Sequence, residues 1–461
     1  MRDLAVRALL ILFVGVSGLC LGVTIAQMPD VGMAVLVGSV PALLSFALVA
    51  GEVEARRFLF RLLILALSLR WAIGAAIYYK GLNTNIGPDW QTYDAFGFQL
   101  YQTWLGTVDP NAPWLTRYTG TQGSGWGMYY YVAAIYALIG KNPLAIQLVN
   151  CSVGASVSVL VYKIARLVYP QPRVARLAAI LTAVAPSMVL WSSQGIKEAL
   201  IMFLVSACTF LTLKLCRKVG IVDFGLLIIS LFCLYTLRNY VFYLLFLAIA
   251  AALVFALRKV TPARAIQSGL LVIILGITFA YLGAARGGNQ FDLDRLQRGR
   301  QWGAREAASG FGGDVDLTNP QAVLAYLPLG VIYVLFAPFP WMIRNLTHLV
   351  TLPEMIVWWL SAPLLFKGFW FTVRRRLRES FTICLFTIGL TLVYALFQSN
   401  FGTAHRQRSQ IFIFFFIFIS IGWDQGLEAA RRRQTRSAFS RRVFRRPNVA
   451  PARVMSGGAL R

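Results

Sequence analysis

Only 18 of 461 residues are Asp or Glu, so each carboxylate beside a basic or aromatic group is a candidate for chemistry. Asp89 and Asp94 stand out, in the segment GPDWQTYDAFGFQLYQTW. A single carboxylate can serve as a general base, taking the proton of a sugar, lipid or protein hydroxyl as that hydroxyl attacks. Five residues apart on a helix, the two are rotated by about 500°, off any common face. That argues against a paired acid/base or metal site. The structural alternative for Asp89 is a helix cap, since a run of helix formers follows it. Glu198 is a further acid, at the start of an apolar run. The complementary residues are cations able to hold an anionic group: Lys197, Arg238, His405, Arg406 and Arg408. Arginine offers a bidentate fork to phosphate oxygens, and lysine a point charge. The alternative for each is snorkelling to headgroups, and Lys197 can simply pair with its neighbour Glu198. Arg238, in LYTLRNYVFYLL, sits between two apolar runs, where a charge is costly without a partner or a function.

These residues need a frame, and the composition states which kind. The chain is 58% hydrophobic and 13% charged, with a mean hydropathy of +0.64. A soluble protein carries about a quarter charged residues. Lys and Arg number 44, giving a net charge of +26. Together these exclude a soluble enzyme, a disordered chain and a disulfide-stapled domain. The six cysteines lie in or at the end of apolar runs, with no Cys-x-x-Cys pair, so neither disulfides nor structural zinc are indicated. The fold class is an all-α polytopic membrane protein.

A spanning helix needs about 20 apolar residues. Twelve runs qualify, the first at 6–27 and the last at 409–425, with 126–140 and 322–343 short or broken. Basic clusters near residues 57, 166, 217, 258 and 375 all fall on the cytoplasmic side only if neither short run crosses. The expectation is therefore about 12 spans, with 126–140 an interfacial helix and 322–343 re-entrant. Both termini are then cytoplasmic, and long loops at 80–125 and 285–321 lie outside. The first loop is rich in Trp and Tyr, as a headgroup-level segment would be. The second carries a polar stretch, FDLDRLQRGRQWGAREAASG, read either as an ion-paired lid or as a solvated helix. Glu354 is read as a substrate contact or a helix-start acid, and Arg344 and His348 share its connection. From Gly426 onward ten arginines face one glutamate. Next to a final span that composition indicates anionic lipid rather than nucleic acid. Mid-span positions read as almost uniformly apolar, which disfavours a transport path.

The segment PDWQTYDAF, together with the aromatic run from GWGMYYYVAAIYALIG through the basic turn to WSSQGIKEALIMFLV, resembles the GT-C superfamily of polyprenyl-phosphate-sugar-dependent glycosyltransferases. Aminoarabinose transferases and protein O-mannosyltransferases are members. The resemblance covers roughly residues 60–260. It implies a GT-C-like helical bundle divided into two extra spans (1–57), a catalytic module (58–265), a C-terminal membrane region (266–425) and a basic cytoplasmic tail (426–461). It also implies Asp89 as catalytic carboxylate, with Asp94 or Glu198 the candidates for a second acid. Family members often carry a second acid beside the first, whereas this chain has Trp90 and Gln91. No obligatory cofactor follows, and a divalent cation stays open. The activity implied is inverting transfer from a polyprenyl-phosphate or diphosphate sugar to a lipid, glycan or protein hydroxyl at the outer face of the cell membrane. The alternatives are a polymerase or ligase of lipid-linked glycans, or a lipid-linked sugar flippase or transporter.

Overall fold

The computed structural model describes residues 22, 27–113, 115, 125–218, 220–256, 293–306, 310–311, 315–316, 319–342 and 346–444. The expected spans at 6–27 and 266–284 thus lie almost wholly outside the described residues, as do Arg344, Asp292, Asp314, the side chain of His348 and the tail beyond 444. Within them the chain is helical, and the sole β-type pairing is an isolated bridge between Gly310 and Asn400. The helices are α1 (Pro29–Ala50), α2 (Arg56–Tyr79), α3 (Asn83–Ile86), α4 (Asp89–Trp104), α5 (Gly127–Ile139), α6 (Pro143–Val168), α7 (Pro172–Val184), α8 (Pro186–Ser192), α9 (Glu198–Arg217), α10 (Ile221–Leu237), α11 (Asn239–Ala256), α12 (Leu293–Glu306), α13 (Pro320–Phe336), α14 (Leu346–Phe397) and α15 (Phe401–Phe444).

Six of these are long and apolar enough to cross a membrane, or seven if the bent pair α7–α8 counts as one span. α14 reverses direction at Arg376, whose backbone leaves the helical region (φ −137°, ψ 21°). Its first leg runs alongside α15, with Trp358 against Phe412 and Phe369 against Phe418. Its second leg runs back, with Phe386 against Phe414 and Tyr394 bonded to Gln410. The sequence expectation of two spans around an arginine turn agrees with this. α5 is 13 residues, about 20 Å long, well short of a ~30 Å hydrocarbon core. That suits a helix that does not cross.

The core is built around α6. It starts at Asn142, whose side chain accepts from Ala145 N, with Pro143 at the first helical position. α1, α2, α7 and α9 pack on it, which buries nearly all of its length. Small residues let the backbones close up. A methyl at Gly38 would sit 2.8 Å from Leu148 Cβ, and one at Gly154 would sit 2.3 Å from Ser192 Cβ.

The interior corrects the reading of uniformly apolar mid-spans. Arg70, Gln147, Ser152, Ser156 and Ser158 are all buried inside long helices. Ser156 and Ser158 bond within their own helix, whereas Arg70 and Gln147 reach backbone groups that a helix break or turn leaves open. Pro186 has no N–H to close the helical bond to Thr182, and α7 and α8 bend by 54° there. Arg70 supplies the missing donors, to Thr182 O at 3.2 Å and Ala183 O at 2.8 Å, with Nε on Ser192 Oγ at 2.8 Å. On the far side of the break, Glu354 accepts from Ser187 N (3.0 Å) and Ser187 Oγ (2.6 Å). Glu354 is therefore a helix-start acid, but for α8 rather than for its own helix. Gln147 donates to Gly74 O at 2.9 Å and Ser193 O at 2.7 Å. Arg70, Glu354 and Gln147 are thus spent on the frame around the α7–α8 break and the turn that follows it.

Candidate functional site

Asp89 opens α4. The preceding residue, Pro88, occupies the cap position and no side-chain cap bond is made, so the capping reading of Asp89 does not hold. Its Oδ2 lies 2.7 Å from Arg406 Nη1 near the start of α15, and the Asp89 side chain keeps 41% of its surface exposed. The helical expectation for this segment holds, and with it the divergence of the two aspartates. Asp94 accepts from Tyr136 Oη of α5 at 2.5 Å and pairs with Lys141 at 3.1 Å. It clamps α4 to α5 and takes no part in the contacts around Asp89.

Arg406 also reaches inward. Its Nε stands 3.2 Å from Glu198 Oε1, and the same oxygen takes Arg238 Nη2 at 3.0 Å. Glu198 is fully buried at the first turn of α9, where a negative charge meets the positive end of the helix. Arg238 lies in the extended break between α10 and α11. The result is a chain of charges, Asp89–Arg406–Glu198–Arg238, drawn from four separate parts of the sequence. Lys197 precedes Glu198 and stands over the Tyr93 ring at 5.9 Å. The turn before α5 closes on it. Gly125 has φ +84°, and a methyl there would approach Lys197 Nζ to 2.9 Å. Burial first, and then repulsion from Arg238, pull the Lys197 ammonium down to about 8, against the attraction of Glu198. Burial, with Glu198 and Asp89 nearby, pushes the Tyr93 phenol well above its usual range.

Three cations against two carboxylates leave a positive balance beside an exposed acid. Such a place can hold an anionic group while Asp89 faces a hydroxyl. Glu198 Oε2 and Arg238 Nη1 are buried without a hydrogen-bond partner, so the cluster carries polar capacity not yet used.

Not every expected cation joins it. Arg408 is fully buried and donates to Leu335 O (2.9 Å), Ala337 O (3.0 Å) and Val334 O (3.3 Å), the open carbonyls ending α13. It is a helix cap and not a free phosphate ligand. His405 turns toward α8, its Nδ1 accepting from Trp191 Nε1 at 3.3 Å. The two flank Arg406 in sequence, yet His405 bonds toward α8 and Arg408 toward the end of α13. In the second long loop α12 docks by Arg300, which donates to Leu396 O and lies 4.5 Å from the Tyr326 ring. Ser399 Oγ donates back to Arg300 O at 2.8 Å. These contacts, arginine on carbonyl and ring, fasten α12 to α13 and to the end of α14. Among the described residues, no cluster of three or more His, Cys, Asp or Glu could hold a metal.

Sequence reasoning missed Arg70 and Gln147, which hold the α7–α8 break and the turn leading to Lys197. The signal was there for Arg70: a lone arginine in the middle of a span, with a proline-broken span elsewhere to receive it.

An all-helical membrane protein with a charge cluster at the ends of several helices is the class these features define. Residues 126–282 match the family model described as dolichyl-phosphate-mannose-protein mannosyltransferase. No curated protein matches the chain, and no solved structure does. The family match supports the GT-C resemblance and, with it, glycosyltransferase activity. It covers about a third of the chain and takes in Lys197, Glu198 and Arg238, while Asp89 and Arg406 lie outside it.

Proposed function

We propose that this protein is an inverting glycosyltransferase that uses a polyprenyl-phosphate sugar at the outer membrane face. The observation that carries the reading is Arg406 shared between exposed Asp89 and buried Glu198, with Lys197 and Arg238 alongside. The donor phosphate competes with Asp89 for Arg406 and is held there with Lys197 and Arg238. Asp89, released from its ion pair, takes the proton of the acceptor hydroxyl. The acceptor oxygen forms its bond to the anomeric carbon as the carbon–oxygen bond to phosphate breaks, and the electron pair leaves on the phosphate. Attack from the opposite side inverts the anomeric centre. The cations stabilise the charge that develops on the leaving group, so no general acid is required.

A lipid-linked glycan polymerase or ligase would lean on outward arginines instead. The burial of Arg408 among carbonyls removes half of the arginine pair that suggested it. Asp89→Asn tests the proposal. Transfer from a synthetic polyprenyl-phosphate sugar should be lost while the purified variant unfolds at the wild-type temperature. Wild-type turnover in Asp89→Asn would remove the base assignment.

A further inference from the structure

The turn between α8 and α9, residues 193–197, is the junction of the cluster. It carries Lys197 and leads into Glu198, and it also touches the segment bearing Asp89. A methyl on Gly195 would lie 3.8 Å from Trp90 Cβ, and one on Gly87 would lie 2.4 Å from Gln194 Oε1. The turn is not helical, so its carbonyls need outside donors. Beneath it, on α6, lies a residue with no part in the chemistry above. Asn150 is fully buried. Its Nδ2 donates to Gln194 O at 2.7 Å and Ile196 O at 2.8 Å, and its Oδ1 accepts from Tyr131 Oη of α5 at 3.1 Å.

We infer that Asn150 is a positioning residue: it ties the 193–197 turn and α5 to the central helix, and so sets Lys197 and Glu198 against Asp89 and Arg406. A primary amide suits the place because it offers two N–H donors and an acceptor on one short stem. Aspartate lacks the donors and would set a carboxylate against two carbonyls. Serine can serve only one of them, and glutamine is one methylene too long for a packed helix. Gln147 anchors the same turn one residue earlier, at Ser193 O. The two amides therefore hold three of the carbonyls between Ser193 and Ile196. Tyr131 adds the link to α5, the helix that follows the Gly125 turn closing on Lys197. A loosened turn would let Lys197 move away from Arg238 and into water.

The kinetic part of the test rests on the transferase reading, and the chemical part does not. The full-length protein in detergent is compared as wild type, Asn150→Asp, Asn150→Ser and Ser158→Ala. Ser158 is buried on the same helix and bonds only within it, to Ala155 O, so it controls for general loosening of α6. The first readout is the pH dependence of Lys197 reductive methylation, followed by peptide mass spectrometry. Wild type should half-react near the value of about 8 that burial and Arg238 impose. Both Asn150 variants should shift toward the ordinary lysine range, and Ser158→Ala should not. The second readout is turnover of a short-chain polyprenyl-phosphate sugar. Since a misplacement of about 1 Å can cost about 100-fold, kcat should fall at least about tenfold in the Asn150 variants with donor KM little changed.

If Asn150→Asp does not accumulate as folded protein, Asn150→Ser decides. An unmoved Lys197 titration in the folded Asn150 variants overturns the inference whatever the activity. So does an equal shift in Ser158→Ala. A shifted titration in a protein whose wild type transfers no sugar would sustain the positioning role and refute the transferase reading instead.

Discussion

Glu198→Gln should be the most destabilising single change in the cluster, and the reason can be worked from its contacts. The carboxylate lies 3.0 Å from Arg238 and 3.2 Å from Arg406. With an effective dielectric constant of about 20, each contact is worth roughly 5 kcal/mol of gross attraction. Most of that is offset by taking three ions out of water. The cost of Glu198→Gln is set instead by what it leaves behind. Arg406 keeps Asp89 at 2.7 Å, whereas Arg238, itself buried, makes its one ion pair among the described residues with Glu198. Leaving one buried charge unpaired costs about 3–5 kcal/mol. Asp89→Asn breaks an ion pair whose acid is 41% exposed, for which about 1 kcal/mol or less is expected. The assay is unfolding in detergent, by tryptophan fluorescence against denaturant, of wild type and both variants. A third protein, Glu198→Gln/Arg238→Met, removes the stranded charge and should recover most of the loss, because apolar replacement of a buried pair is often near neutral. The reasoning is refuted if Glu198→Gln unfolds within about 1 kcal/mol of wild type, or if the double variant is no more stable than the single one.

Two further outcomes follow from the same geometry. Because kcat/KM reports the free enzyme, its value for the donor should decline as pH rises through about 8, where Lys197 loses its proton. Lys197→Arg should carry activity beyond that limit, and a wild-type profile with no loss by about pH 9 would exclude Lys197 as a phosphate ligand. Arg408→Gln strands the carbonyls that end α13 and should cost about 2–4 kcal/mol of stability. Donor KM should stay at its wild-type value, and a large rise in KM at unchanged stability would return Arg408 to the substrate site.

The sequence disclosed the charged groups of the site because acids are scarce in the chain and the cations in question fall outside the five basic clusters that set the topology. Asp89, Lys197, Arg238 and Arg406 stand out for that reason, and the structure gathers them. Spacing also predicted the divergence of Asp89 from Asp94. Arg408 was misread because proximity in sequence to Arg406 says nothing about which way a side chain leaves the helix. Two residues on, it is turned by about 200°. The second layer was hidden for another reason. Gln147 and Asn150 sit inside an apolar run, and their purpose is set by carbonyls in a turn more than 40 residues away. No local pattern encodes that pairing. Glu354 was visible as a helix-start acid, but Ser187, the residue it caps, lies 167 residues earlier.

That last distance has a consequence for how the protein is made. The amide of Ser187 and the carbonyls of Thr182 and Ala183 belong to one broken helix, and their partners come from α2 and α14. Arg70 is already synthesised when the break emerges, but Glu354 follows 167 residues later. At about 5–20 residues per second that is a wait of roughly ten to thirty seconds. During it, the freshly made helix holds an uncapped amide and a nascent bundle holds Glu198 without Arg406. Completion of the last helices is therefore what seals the interior and assembles the charge cluster together. A chain released early would carry the matched family segment and most of the cluster, yet remain an unfinished membrane protein, open to quality control.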